Sequence, residues 1–232
     1  MPNLILLTLV NYGTIGILFT KLVFLNKALC FSIAVIYFLT KKVEKEIVKI
    51  LKNGGVGILP TDTLYGLVGS ALSKKAVRRI YQVRQRNPRK PLIILISSLA
   101  DLKLFNIKIN SKTKNQLLRF WPGKMSIILP CRGKKFIYLH RGTKTLAFRL
   151  IAKKDLVNLI KKVGPLVAPS ANLEGMPPAE TISQAKKYFG PEQSRRINFY
   201  INGGRLAGPA STLIQIKNNS ILVKRKGAAQ KL

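Results

Sequence analysis

The chain has 232 residues, 47% of them hydrophobic, and sets 41 Lys and Arg against 8 Asp and Glu for a net charge of +33. That length supports one well-cored domain with an appendage better than two domains. The charge favours phosphates, nucleic acid or anionic head groups as partners, although abundant Lys, Ile, Asn and Leu are also what an AT-rich genome encodes. Two distant cysteines, Cys30 and Cys131, make no disulfide framework and suit a reducing, cytoplasmic setting. One histidine, His140, cannot complete a closed zinc site with them, and the scattered acids suggest no two-metal cluster.

Residues 1–42 read as a hydrophobic N-terminal extension, with Lys21 and Lys27 the charges before Lys41. Its apolar stretches, Leu4–Thr20 and Ala28–Thr40, fall short of the roughly 20 residues that span a bilayer comfortably. Three readings fit: a membrane-associated segment, a short buried extension, or upstream sequence translated from a wrong start. The last is preferred, because Phe, Leu, Ile and Lys are also what AT-rich non-coding DNA encodes. From Val43 a helix is expected with Val43, Ile47, Ile50 and Leu51 on one face, ended by Asn53-Gly54-Gly55. A strand over Val56–Pro60 leads into a Thr61-Asp62-Thr63 turn, and Lys74–Arg84 reads as a second helix. Leu92–Ile96 is a buried strand, Lys112–Phe120 a helix stopped at Trp121-Pro122-Gly123, and Ser126–Leu129 and Thr145–Leu150 are strands. Then come a helix over Lys154–Lys162, a short strand over Leu166–Ala168 and a helix over Ile182–Phe189. Two closing strands, Thr212–Ile216 and Ile221–Val223, flank Lys217-Asn218-Asn219. Strands alternating with helices argue for an α/β layer fold.

Several strand ends carry hydroxyl, amide or guanidinium groups, and strand ends are where α/β sheets place ligand contacts. Thr61 and Thr63 follow the first strand; the alternative is an ordinary threonine-rich turn. Arg84, Arg86 and Lys90 lie between a helix end and a buried strand and could converge on a polyphosphate, since guanidinium forks grip phosphate oxygens in pairs; the alternative is a solvated basic loop. Ser170 and Asn172 could point into one cleft, or cap a helix. Ser126 starts a strand. Arg149 sits among apolar neighbours, and an unpaired buried charge is expensive, so a carboxylate partner is expected. With so few acids in the chain, a substrate carboxylate is preferred over an internal one. Ser211 and Arg225 could complete a phosphate-binding rim. His140, beside Arg141, reads as a surface residue. Gly54-Gly55-Val56-Gly57 precedes a strand and is no dinucleotide fingerprint, and no Ser-His hydrolase is expected.

The ordered set Pro60-Thr61-Asp62-Thr63-Leu64-Tyr65-Gly66, Arg84-Gln85-Arg86, Lys90-Pro91-Leu92, Trp121 to Ser126, Arg149, Ser170-Ala171-Asn172, Ser211-Thr212-Leu213 and Arg225 with Gly227 resembles the YrdC/Sua5/YciO family. The resemblance covers residues 43–227, leaving 228–232 as a short tail. It implies a YrdC/RibB-like twisted mixed sheet flanked by helices, with a large basic cleft. The implied activity is L-threonylcarbamoyladenylate synthesis, a nucleotidyl transfer. It uses L-threonine, bicarbonate or carbon dioxide, and ATP carrying Mg2+, with no tightly bound cofactor. The product serves threonylcarbamoylation of adenosine 37 in tRNA, which brings in tRNA or proteins of that pathway as partners. On this resemblance Thr61, Thr63 and Arg149 hold threonine, and Arg84, Arg86, Lys90, Ser126, Ser170, Asn172, Ser211 and Arg225 hold the nucleotide. The family's lysine is replaced by Arg84 and its threonine by Ser126. A proline is missing at Lys124, and lysine follows Arg225. The chain stops soon after the domain, so the longer form with an extra C-terminal domain is not expected. The rival reading is a YciO-like RNA-binding protein of the same fold without synthase activity.

Overall fold

The structure, a computed structural model, describes residues 5–7, 41–217 and 220–229. The membrane and mistranslation readings of the first 40 residues, and the turn at Asn218-Asn219, fall almost wholly outside them. In chain order the strands are β1 (Ile5–Leu7), β2 (Val56–Pro60), β3 (Tyr65–Ser70), β4 (Ile93–Ile96), β5 (Met125–Pro130), β6 (Thr145–Leu150), β7 (Leu166–Val167), β8 (Phe199–Ile201), β9 (Thr212–Lys217) and β10 (Ser220–Arg225). The helices are α1 (41–52), α2 (Lys74–Arg84), α3 (Ser111–Leu118), α4 (Ile137–His140), α5 (Lys154–Val163) and α6 (Ile182–Ser194).

The ten described strands form one mixed sheet in the order β1-β8-β2-β3-β7-β4-β6-β5-β9-β10. Neighbours β4/β6 and β5/β9 are parallel, while β2/β3 and β5/β6 are antiparallel. The expected twisted mixed α/β sheet is therefore the observed architecture. Residues 5–7 join it as an edge strand parallel to β8, so at least this part of the N-terminal extension is built into the fold. No helix among the described residues is long and apolar enough to cross a membrane.

Side-chain alternation along each strand assigns the two faces. Val56, Ile58, Leu67, Ile94, Ile127, Phe148 and Ile214 point to the face covered by α2, α4 and a 3-10 segment (Leu99–Phe105), where Ile80, Val83, Leu139 and Phe105 complete the main core. Each large apolar side chain so buried contributes roughly 1.5–3 kcal/mol. Ser73 caps α2 by accepting from the Ala76 amide at 3.2 Å. On the opposite face Leu59, Val68, Leu95, Leu166 and Phe199 pack against Ile47 and Leu51 of α1 and Leu156, Leu159 and Ile160 of α5. Gly57 makes this packing possible, since a Cβ there would lie 2.3 Å from the Phe199 ring. These two helices cover the face from β8 across to β4, where α5 packs on the strand. Over β6, β5 and β9 the same face stays open.

Most predicted elements match within two residues. No strand is predicted between the Thr61–Thr63 turn and α2, yet β3 lies there, fully buried. β8 is likewise unanticipated. Helix α6 runs past Phe189 to Ser194 with a kink at Gly190. His140 is buried rather than on the surface: it ends α4, and its Nδ1 accepts from the Gly142 amide at 3.2 Å.

Candidate active site

The open part of the sheet is the floor of a pocket of about 370 Å3. Its apolar floor follows from strand alternation: Ile93 and Leu95 from β4, Ala147 from β6, Ile128 from β5 and Leu213 from β9 all face it. Arg149 shares the parity of Ala147 and so rises from the same floor, while Leu146, Phe148 and Leu150 go to the main core. Its walls are strand and helix ends: Thr61 and Thr63 from the β2–β3 turn, Ser170 after β7, Ser211 before β9, Arg84 ending α2 with Arg86 just beyond it, and Arg225 closing β10.

At one end the groups are tied to one another. The Thr61 hydroxyl donates to the Leu64 carbonyl at 2.7 Å and accepts from the Thr63 and Leu64 amides at 3.2 Å, so it builds the hairpin turn. Thr63 Oγ1 accepts from Arg149 Nη1 at 3.0 Å, and Arg149 Nε donates to the Gly123 carbonyl at 3.0 Å. Arg149 Nη2 lies 2.5 Å from Asp62 Oδ1. The contact is a close ion pair between two buried atoms. The Arg149 side chain is 4% exposed and that of Asp62 13%. Burial pushes the Arg149 pKa down while Asp62 opposes the shift. The carboxylate that a buried arginine requires is thus an internal one, Asp62, correcting the preference for a substrate carboxylate. Asp62 is also the main residue that sequence reasoning missed, although it stands inside the Pro-Thr-Asp-Thr motif.

The other end is a rim of cations with little compensation. Arg84 is buried and grips a neutral residue, donating from Nε to the Asn172 carbonyl at 2.8 Å and from Nη2 to Asn172 Oδ1 at 3.0 Å. Burial first, then Arg86, lowers its pKa to about 10, with Glu174 opposing, so it stays charged at neutral pH. Arg86 donates to the Lys90 and Pro91 carbonyls at 3.3 and 3.0 Å. Arg225 donates to the Ser211 carbonyl at 2.8 Å, and its pKa is depressed by burial and by Arg86 and Arg149. Mutual repulsion among these guanidiniums is the mark of a place awaiting a multivalent anion. Gly227 lets the chain lie against this wall, because a Cβ there would come within 2.1 Å of the Ala210 carbonyl oxygen.

Eight of the eleven predicted residues line the pocket: Thr61, Thr63, Arg84, Arg86, Arg149, Ser170, Ser211 and Arg225. The other three stand behind it. Asn172 holds Arg84, and Ser126 is buried with its hydroxyl 2.8 Å from that of Ser211. Lys90 points outward to Glu174 at 2.7 Å, its side chain 60% exposed. Ser170 faces Gly66 across an isolated bridge and makes no side-chain hydrogen bond among the described residues. Thr143 and Thr145 add hydroxyls to the lining that sequence reasoning did not single out.

A family model described as telomere recombination, covering Sua5, YciO and YrdC, matches residues 49–227. The chain belongs to the Sua5/YciO/YrdC family. A threonylcarbamoyl-AMP synthase of Pyrococcus abyssi is 32% identical over 180 residues, 76% of this chain and 52% of that protein. One of Nitrosococcus oceani is 32% identical over 165 residues, 70% of this chain and 87% of its own length. Among solved structures, P. abyssi Sua5 complexed with L-threonine superposes with a TM-score of 0.71 at 29% identity, covering 79% of this chain and 54% of that one. The chain spans about half the length of the Pyrococcus relative and most of the Nitrosococcus one. The family's sheet therefore carries the hydroxyls and arginines described above.

Proposed function

We propose that this pocket makes L-threonylcarbamoyladenylate and pyrophosphate from L-threonine, bicarbonate or carbon dioxide, and ATP, for threonylcarbamoylation of adenosine 37 in tRNA. The observation that carries the reading is the division of one pocket into a tied threonine–arginine end and an uncompensated arginine rim, in a chain whose relatives are named for this synthesis. A relative's structure holding L-threonine supports the amino-acid half of the assignment.

The threonine amine captures carbon dioxide as a carbamate. A carbamate oxygen then forms a bond to the α-phosphorus of ATP as the bond to the β-phosphate oxygen breaks, and pyrophosphate leaves with the electron pair. Charge grows on the departing oxygen, so fixed cations aimed there accelerate the step without a covalent role for the protein. Arg84, Arg86 and Arg225 hold the phosphates, Ser170 and Ser211 offer hydroxyls to them, and Thr63 with Arg149 faces the amino acid. Asn172 and Ser126 act one layer back by aiming Arg84 and bracing Ser211, while Thr61 lines the pocket and shapes the turn. Bringing the carbamate and the α-phosphorus together supplies the rest by proximity. Among the described residues no group of three or more His, Cys, Asp or Glu is placed to hold a metal ion, and Asp62 is committed to Arg149. Magnesium would accordingly travel on the triphosphate.

The test is threonine-dependent release of pyrophosphate from ATP and bicarbonate by the purified protein. Turnover that requires all three substrates supports the synthase. Tight, salt-sensitive RNA binding with no turnover would replace it with the RNA-binding alternative.

A further inference from the structure

Among the described residues no carboxylate forms an ion pair with Arg86, although its charge helps to lower the Glu174 pKa. Its guanidinium hangs on the carbonyls of Lys90 and Pro91, and residues 87–90, which carry the first of these, are all exposed. A phosphate-binding fork on so exposed a loop needs something rigid behind it. Tyr81 stands there. Its hydroxyl donates to the Lys90 carbonyl at 2.8 Å, the same oxygen that accepts from Arg86 Nε, and its own carbonyl accepts from the Arg86 amide at 3.0 Å. Tyr81 thereby brackets the Arg86 loop at both ends from the buried face of α2.

Tyr81 is itself pinned from the far side. Arg141 lies with its guanidinium carbon 4.0 Å from the centre of the Tyr81 ring, well inside cation–π range. Two features make this contact unlike a chance surface stack. Arg141 adopts a left-handed backbone, φ 50°, where a non-glycine residue is strained. Its Nε is also buried without a hydrogen-bond partner. The segment that carries it goes on to Thr143 and Thr145, which line the pocket.

We propose that Tyr81 and Arg141 are positioning residues that clamp the Arg86 loop, so that Arg86 meets the nucleotide phosphates in one fixed orientation. The inference rests on the reading of Arg86 as a phosphate-binding group. Neither residue touches the substrate; both act through the Lys90 carbonyl. Tyr81→Phe removes the donor while keeping the ring and its stack, and Arg141→Leu removes the stack while keeping the donor.

Two readouts on the full chain test it. In arginine side-chain NMR spectra, Tyr81→Phe should speed solvent exchange of the Arg86 Nε proton several-fold. By calorimetry it should weaken ATP binding about five-fold, the scale of one neutral hydrogen bond, with threonine affinity unchanged. Arg141→Leu should weaken ATP about three-fold, and Arg141→Lys should recover part of that loss. In an Arg86→Ala background, Tyr81→Phe should cost nothing further. Unchanged Arg86 exchange in both single variants, or losses that simply add to that of Arg86→Ala, would overturn the clamp. If the wild-type protein binds no ATP while Arg86 exchange still responds, the clamp stands and the nucleotide reading of the pocket falls.

Discussion

The two ends of the pocket handle positive charge in opposite ways. Around Arg149 the protein supplies a full set of partners: a carboxylate from Asp62, a hydroxyl from Thr63 and a carbonyl from Gly123. Along the rim, Arg84, Arg86 and Arg225 are held by carbonyls, one amide oxygen and one hydroxyl, and Arg86 raises the cost of charging both Arg84 and Arg225. Carbonyls orient a guanidinium without neutralising it. The first end is therefore a finished piece of structure that presents a shape, and the second is left electrically incomplete for a ligand to finish.

The sharpest way to break this contrast is to remove the internal carboxylate. Asp62→Ala leaves Arg149 buried and uncompensated, and should destabilise the fold by about 3–5 kcal/mol in a chemical denaturation curve. Next comes the rim. Arg86→Ala or Arg225→Ala should leave the denaturation midpoint unchanged or raise it slightly, since repulsion is relieved. Either should weaken ATP binding by about 1.5–3 kcal/mol, the value of a charge-assisted hydrogen bond. If both ends instead lost stability equally, the division would be wrong. Asn172→Ala, which unhooks one arm of Arg84, should weaken ATP by about 1 kcal/mol while sparing threonine in the same titration.

The smallest effect concerns pH. Arg84 has its folded-state pKa depressed to about 10 by burial and by Arg86. It sheds its proton from the folded protein before it would from the unfolded chain, so its burden on folding lightens as pH climbs from about 10 toward its ordinary value. Ligand binding runs the other way. ATP affinity should hold level from pH 7 to 9 and drop about two-fold near pH 10, where half of the Arg84 charge is gone. A flat profile through pH 10.5 would place Arg84 away from the phosphates.

What the sequence discloses about this architecture tracks how each residue is buried. Strands dominated by apolar residues, such as β2 and β4, are legible because a short apolar run bounded by turn residues reads as a buried strand. β3 is not, because Gly66 and Gly69 dilute the apolar signal along a strand whose six residues are all buried. Arg149 is legible as a charge among apolar neighbours. Its partner is not, since Asp62 sits in a Thr-Asp-Thr turn, where an acid is ordinary and its inward direction leaves no periodic trace. Lys90, Ser126 and Asn172 show the limit of reading by motif: the segment is correctly placed, yet which of its side chains faces the ligand and which stands behind is decided by backbone direction.

The pocket wall is completed late. Ser211 lies just before β9, a strand whose parallel neighbour β5 was laid down some eighty residues earlier, and Arg225 ends β10 and reaches back to the Ser211 carbonyl. During translation, the helices and central strands can condense while the ribosome still holds these segments. The nascent protein then has its threonine–arginine end formed but an unfinished phosphate rim. Any ligand that needs Ser211 and Arg225 together must therefore wait until residue 225 has left the ribosome.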